Sequence, residues 1–129
     1  MNPRMKVFSL EEANALLPEL DSLLEQFETK HDAFKRFEDQ LFFEEILDHA
    51  EPHETKLKEL EACLVALEKE IEKIQTLGCL LRHPERGWVD FLARRNEELI
   101  CYCWRRGEEG IQFYHSLGGG FLERQPLNA

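Results

Sequence analysis

Apolar residues in the first half of the chain return every three or four positions. Leu10, Ala13, Leu17, Leu20, Leu24 and Phe27 share one stripe, and His31, Phe34 and Leu41 continue it. That spacing is the heptad seam of a helix lying against another helix. Leu16, Leu23, Phe37 and Phe42 widen the stripe, so this helix has more than one neighbour. It opens at Ser9-Leu10-Glu11-Glu12, a capping box: the Ser9 hydroxyl accepts from the Glu12 amide and the Glu12 carboxylate reaches back. Pro18 removes a backbone donor and predicts a kink in the third turn. A break over Asp48 to His53 follows, with Pro52 suited to a first helical turn. A second seam then runs through Leu57, Leu60, Leu64, Leu67, Ile71 and Ile74 to Gly78 as its C-terminal cap. The pattern predicts helices over about 10–48 and 53–77, roughly 60 and 37 Å long, folded as an antiparallel hairpin. The excess of the first helix lies at its N-terminal end, which places Leu10 to Leu24 under the sheet that follows.

Past Gly78 the period changes from helical to two. Trp88 to Arg94, Leu99 to Arg105 and Ile111 to Ser116 read as strands of an antiparallel meander. Asn96 marks the first turn, and Arg106-Gly107-Glu108-Glu109-Gly110 the second. Leu80 to Arg82 adds a short edge strand, and the tail with Gly118-Gly119-Gly120 and Pro126 is irregular and folds back over the sheet. The expected class is therefore α+β: a long antiparallel helical hairpin (9–77), then a three- to four-stranded antiparallel β-meander with an irregular C-terminal tail (78–129), all in one domain, 1–129. Alternation sorts the strands into faces. Val89, Phe91, Leu99, Cys101, Cys103, Ile111 and Phe113 form the more apolar set, expected to meet the helices. Asp90, Tyr102, Trp104, Gln112 and Tyr114 form the other, either amphipathic surface under the tail or a binding face. This sorting sets Asp90 and His115 on opposite sides.

Composition narrows the classes. The 129 residues are 43% hydrophobic and 33% charged, a globular balance. No apolar run approaches the ~20 residues of a membrane span, and no apolar leader follows Arg4 and Lys6, so a cytoplasmic location is expected. The net charge of −10 argues against nucleic-acid binding. The charge is segregated: residues 9–77 carry 19 acids and 7 bases, whereas 78–129 carry 7 of each, every base there an arginine. Lysine suits a solvated helix face; arginine suits bidentate pairing with carboxylate or phosphate. Those arginines either pair with Glu97, Glu98, Glu108 and Glu109 or present an anion-binding face. Cys63, Cys79, Cys101 and Cys103 contain no Cys-x-x-Cys, so they are expected to be reduced, buried and slow to react.

Four blocks carry a resemblance. Phe8-Ser9-Leu10-Glu11-Glu12-Ala13-Asn14-Ala15-Leu16-Leu17-Pro18 is the first, and Pro84-Glu85-Arg86-Gly87-Trp88-Val89-Asp90-Phe91 the second. The third joins Cys103-Trp104-Arg105-Arg106-Gly107-Glu108 to Ile111-Gln112-Phe113-Tyr114-His115, and the fourth is Gly120-Phe121-Leu122-Glu123-Arg124-Gln125-Pro126-Leu127. Together they resemble an uncharacterised bacterial family, domain of unknown function 2203, over nearly the whole chain. The resemblance implies no activity, and the His31 to His53 stretch departs from it, so a site there would be particular to this chain.

Candidate chemistry gathers in the sheet and tail. Asp90, Trp104, Glu108, His115 and Arg124 are the binding candidates: an Asp, a Glu and a His can hold a divalent ion or move protons, and Arg124 can hold an anion. The bland alternative has the acids and Arg124 in turn and tail salt bridges, with Arg124 the expected partner of Asp90. At the hairpin tip, Glu45 and His49 stand four apart, with Asp48 and His53 near, at metal-ligand spacing. No Walker loop, dinucleotide fingerprint or nucleophile elbow is present, and no catalytic residue is assigned. The leading expectation is a small interaction or structural protein that self-associates through its helices, most simply as a homodimer, with a further protein partner open, and with neither nucleic acid nor membrane as partner. The alternative is a metal- or small-anion-binding domain, hydrolytic chemistry included, with its site on the sheet and tail. No cofactor is indicated beyond a divalent metal in that second reading.

Overall fold

The computed structural model describes residues 6–48 and 54–128. Helix α1 spans Leu10–Asp48 and α2 Glu54–Thr76, both within a residue of the expected limits. The capping box forms as read: the Ser9 Oγ accepts from the Glu12 amide at 3.1 Å, and Glu12 Oε1 accepts from the Ser9 amide at 3.0 Å. Lys6 bonds the same carboxylate, and with Ser9 it holds Glu12 down at about 2. The helix continues through Pro18 without ending there. Gly78 takes a positive φ of 92° just past α2, as a C-terminal cap requires.

The two helices pair antiparallel through specific ion pairs. Lys56 Nζ lies 2.6 Å from Glu44 Oε1, and Lys30 bonds Glu70. Glu70 is fully buried, with Lys30 and Lys73 on the same oxygen, and these cations draw its pKa below the ordinary carboxylate value. With Lys30 opposite Glu70, the α1 residues before about position 24 extend past the end of α2. There Ala13, Leu17, Leu20 and Leu24 join Phe8, Val89, Phe91, Trp104 and Ile111 in the main core. The N-terminal overhang thus lies under the sheet, as its length requires.

The sheet has five strands in sequential order, one more than the upper expectation: β1 Leu80–His83, β2 Trp88–Arg95, β3 Glu98–Arg105, β4 Phe113–Ser116 and β5 Gln125–Pro126. The extra strand comes from the tail, where Phe113 faces Pro126 and Tyr114 faces Gln125. Pro126 lacks a ladder donor, which suits an edge. All neighbours are antiparallel.

The face assignment made from alternation alone is wrong in β3 and β4. Asn96 and Glu97 both take positive φ, 51° and 69°, the backbone of a two-residue type I′ turn. That turn pairs Arg95 with Glu98 and so places Phe91 opposite Tyr102 and Val89 opposite Trp104. Opposed residues share a face. Val89, Phe91, Tyr102 and Trp104 therefore meet the helices, while Asp90, Cys101, Cys103, Phe113 and His115 turn to the other side. Ile111 precedes β4 and still reaches the helical core, because its amide donates to Asn14 Oδ1 at 2.9 Å.

The tail covers that second side. There Phe121 meets Trp88 edge-on at 5.5 Å, whereas Leu127, whose N donates to Gln112 O at 2.9 Å, packs its side chain back on the helical core. The sheet half has three layers: α1, sheet and tail.

Glu97 occupies a left-handed position that favours glycine. Glu97→Gly should stabilise the protein by about 0.5–1 kcal/mol by relieving that backbone cost. A rise in midpoint denaturant concentration with unchanged slope is the expected result, and a fall would show that Glu97 makes a contact worth more than the strain.

Candidate functional site

Asp90 stands in the middle of β2, where aspartate is a poor strand former. It is fully buried, as is His115 on β4. Strand β3 lies between them, and Cys103 is directly opposite Asp90 while Cys101 is opposite His115. The two side chains reach across β3 and meet: His115 Nε2 lies 2.9 Å from Asp90 Oδ2. The register explains both why they converge and why alternation within single strands separated them.

Two further donors complete the carboxylate. Arg82 Nε donates to Oδ2 at 2.9 Å, and Trp88 Nε1 donates to Oδ1 at 2.9 Å. The expected arginine partner was Arg124; the structure supplies Arg82 instead. Leu80 faces Asp90 across β1–β2, and the register slips between Leu81 and His83, so β1 brings its arginine alongside the acid. His115 Nδ1 is 2.7 Å from the Ser116 carbonyl, which can only accept, so Nδ1 donates there.

Asp90, Cys103 and His115 offer ligand atoms all within 4.8 Å of one another. This is the nearest approach to a metal cluster among the described residues. Its chemistry favours a hydrogen-bonded network over an ion site. Burial first, then the Asp90 charge, pushes the Cys103 thiol up to about 12, and the same causes raise Cys101. Both thiols are therefore protonated in the metal-free protein. Arg82 occupies the oxygen that an ion would need, and a divalent cation beside a guanidinium meets repulsion.

The remaining candidates form a separate lock. Glu108 closes the β3–β4 turn: its Oε1 accepts from the Arg105 amide at 2.7 Å, and its carbonyl accepts from Trp104 Nε1 at 3.0 Å. Arg124 Nη1 bonds both Glu108 oxygens, at 3.1 and 2.9 Å. The Arg124 guanidinium lies between the Phe113 and Phe121 rings, 4.2 and 3.9 Å from their centroids. Glu108 and Arg124 therefore pin the tail to the sheet, while Trp104 faces the helices. Asp90, Glu108, His115 and Arg124 divide into two pairs rather than one acid–base centre.

Elsewhere, His31 stacks on Phe27 at 5.6 Å and lies 3.5 Å from Glu85. Glu45 is exposed near the end of α1, and His49 and His53 lie outside the described residues. Sequence reasoning missed Arg82, Trp88 Nε1 and Glu70. The signal for the first two was the short Asn96-Glu97 turn, which fixes the phase between strands; nothing in the seam pattern marks Glu70 as buried. Cys79, like Cys101 and Cys103, is buried, with its thiol pushed up to about 11 by desolvation, whereas Cys63 is half-buried.

The model of a family of uncharacterized conserved proteins, DUF2203, matches residues 6–127. No curated protein and no solved structure matches the chain. Among the described residues, no helix is long and apolar enough to cross a membrane.

Two outcomes test the network. Asp90→Asn should destabilise the protein by about 3 kcal/mol, because Arg82 and His115 lose the charge they face. In double-mutant cycles it should be coupled to Arg82→Gln and additive with Arg124→Gln; the reverse pattern would return Arg124 to the role of partner. Cys79, Cys101 and Cys103 should resist a charged thiol reagent in the native protein, leaving Cys63 as the one fast-labelled position; rapid labelling of two or more would contradict their burial.

Proposed function

For this chain, which belongs to the DUF2203 family of uncharacterized conserved proteins, we propose the function of an interaction protein that self-associates through the outer part of its helical hairpin. The observation that supports this reading is the uneven covering of apolar surface. The sheet is shielded by α1 on one side and by the tail on the other. Toward the hairpin tip, Phe42, Phe43, Ile46 and Leu47 of α1 are 53–69% exposed, and Leu57, Leu64 and Val65 of α2 are 42–48% exposed. A concentration of large exposed apolar side chains marks an association surface. The seam residues are unevenly covered. Leu57 and Leu64 are open, Phe34 and Ile71 are half-buried, and Leu41 is covered within the hairpin.

A second copy is the occupant that fits. The patch draws on both helices, and two such hairpins supply four helices around one apolar centre. Two of the hairpin lysines are engaged between its helices, Lys56 with Glu44 and Lys30 with Glu70. Two acidic hairpins repel at long range, so their association rests on apolar contact and gains from screening.

Light scattering at micromolar concentration should give a dimeric mass, held more tightly at high salt than at low. Phe43→Glu should give a folded monomer with unchanged helical content. A monomeric mass at both salt levels would overturn the reading, and a complex that weakens with salt would indicate a basic partner instead.

A further inference from the structure

The seven arginines of the sheet half are not equally employed. Arg82 bonds Asp90, Arg124 bonds Glu108, and Arg106 reaches α1, with Nε 2.9 Å from Asp21 and Nη1 2.7 Å from Glu28. Arg95 lies over the Tyr114 ring at 4.4 Å. Arg86 and Arg105 have neither an ion pair nor a guanidinium hydrogen bond among the described residues; Arg105 only approaches the Phe121 ring, at 5.8 Å. These two share one cleft of about 380 Å³ at the end of the sheet, between β1–β2 and the tail. Arg86 comes from the 3-10 turn Pro84–Arg86, Arg105 from the last residue of β3.

Other features of the cleft point the same way. His83 lines it, and its Nδ1 is one of two buried side-chain polar atoms without a hydrogen-bond partner among the described residues. Trp88 and Phe121, crossed at 65°, form an aromatic wall. Leu122 at the mouth is 97% exposed, an apolar side chain held out into solvent by the tail. Glu123 is the cleft's one carboxylate, so two guanidinium groups leave it net positive.

We propose that this cleft binds a small phosphomonoester of an apolar or aromatic alcohol. The phosphate would lie against Arg86 and Arg105 and the organic body against Trp88 and Phe121. Two guanidinium forks present more donors than a carboxylate's two oxygens can use, whereas a terminal phosphate offers three oxygens and twice the charge. The volume is at the lower end of the range for small-ligand sites. Arg86 and Arg105 also border a larger groove against α1, where Asp21, Glu28, Asp32 and Glu85 stand, but neither groove involves the hairpin tip, so the inference is independent of self-association.

Phenyl phosphate is the probe, titrated into the full-length protein and followed by amide chemical shifts. Saturable shifts at residues 83–88, 105 and 120–122 are expected, with inorganic phosphate and phenol each binding at least about tenfold more weakly. Arg86→Gln and Arg105→Gln should each weaken phenyl phosphate by roughly tenfold, the loss expected for one charge-assisted contact. Both side chains are exposed and without an ion pair among the described residues, so the variants should fold normally; Arg94→Gln, an exposed arginine on the same sheet, should bind as the wild type. Absence of saturable shifts, shifts confined to other residues, or a double Arg86→Gln, Arg105→Gln variant that binds as the wild type would overturn the proposal. Inorganic phosphate binding as tightly as phenyl phosphate would overturn the role of the aromatic wall, and tighter binding of benzoate would overturn the choice of phosphate.

Discussion

Two consecutive residues in the left-handed region, Asn96 and Glu97, determine which side chains of the sheet can meet. A two-residue turn leaves no freedom in pairing, and a slip of one position would send every side chain of β3 to the opposite face. Everything on the tail side of the sheet depends on that phase. Cys103 falls opposite Asp90 and Cys101 opposite His115, so the acid and the imidazole bracket β3 from its two neighbours. Trp104 falls opposite Val89 and fills the helical core. The turn is local, yet it decides the contents of two layers.

The same constraint explains which parts of the structure were legible in the sequence. Helix limits, the Ser9–Glu12 cap, the hairpin and the placing of Leu17, Leu20 and Leu24 beneath the sheet follow from period and capping chemistry, which act within a single element. Strand positions follow for the same reason. Alternation gives parity within a strand but not the phase between strands, so Leu99, Cys101 and Cys103 were grouped with Phe91 when Tyr102 and Trp104 belong there. That one error separated Asp90 from His115. The glycines of the tail make Arg124 look free to reach Asp90, whereas antiparallel pairing of β1 with β2 delivers Arg82. Strand β5 was hidden because two residues are too few to show a period.

Charge segregation along the chain has a structural counterpart. Lys30 and Lys56 bridge the two helices of the hairpin at the edge of water, a task for a flexible single-point donor. Arginines of the sheet half carry planar duties: Arg124 is stacked between two rings while bonding both oxygens of Glu108, and Arg106 spans from the β3–β4 turn to acids on successive turns of α1. The expected acid partners near the arginines in sequence are mostly unused, and only Glu108 serves.

The contact between Asn14 and Ile111 joins residues 97 positions apart, and Arg106 reaches Asp21 across 85. The first turns of α1 are therefore finished by the last strands. On a ribosome, Leu17, Leu20 and Leu24 emerge early and wait for the sheet to complete their cover, because of α2 only the last turn, at Ile74, joins their cluster. The lysine- and glutamate-bridged part of the hairpin can close as soon as α2 is made, but the sheet-facing overhang must wait. Synthesis thus leaves a defined interval in which one short apolar stripe is open, and its length is set by the distance along the chain from Leu24 to Ile111.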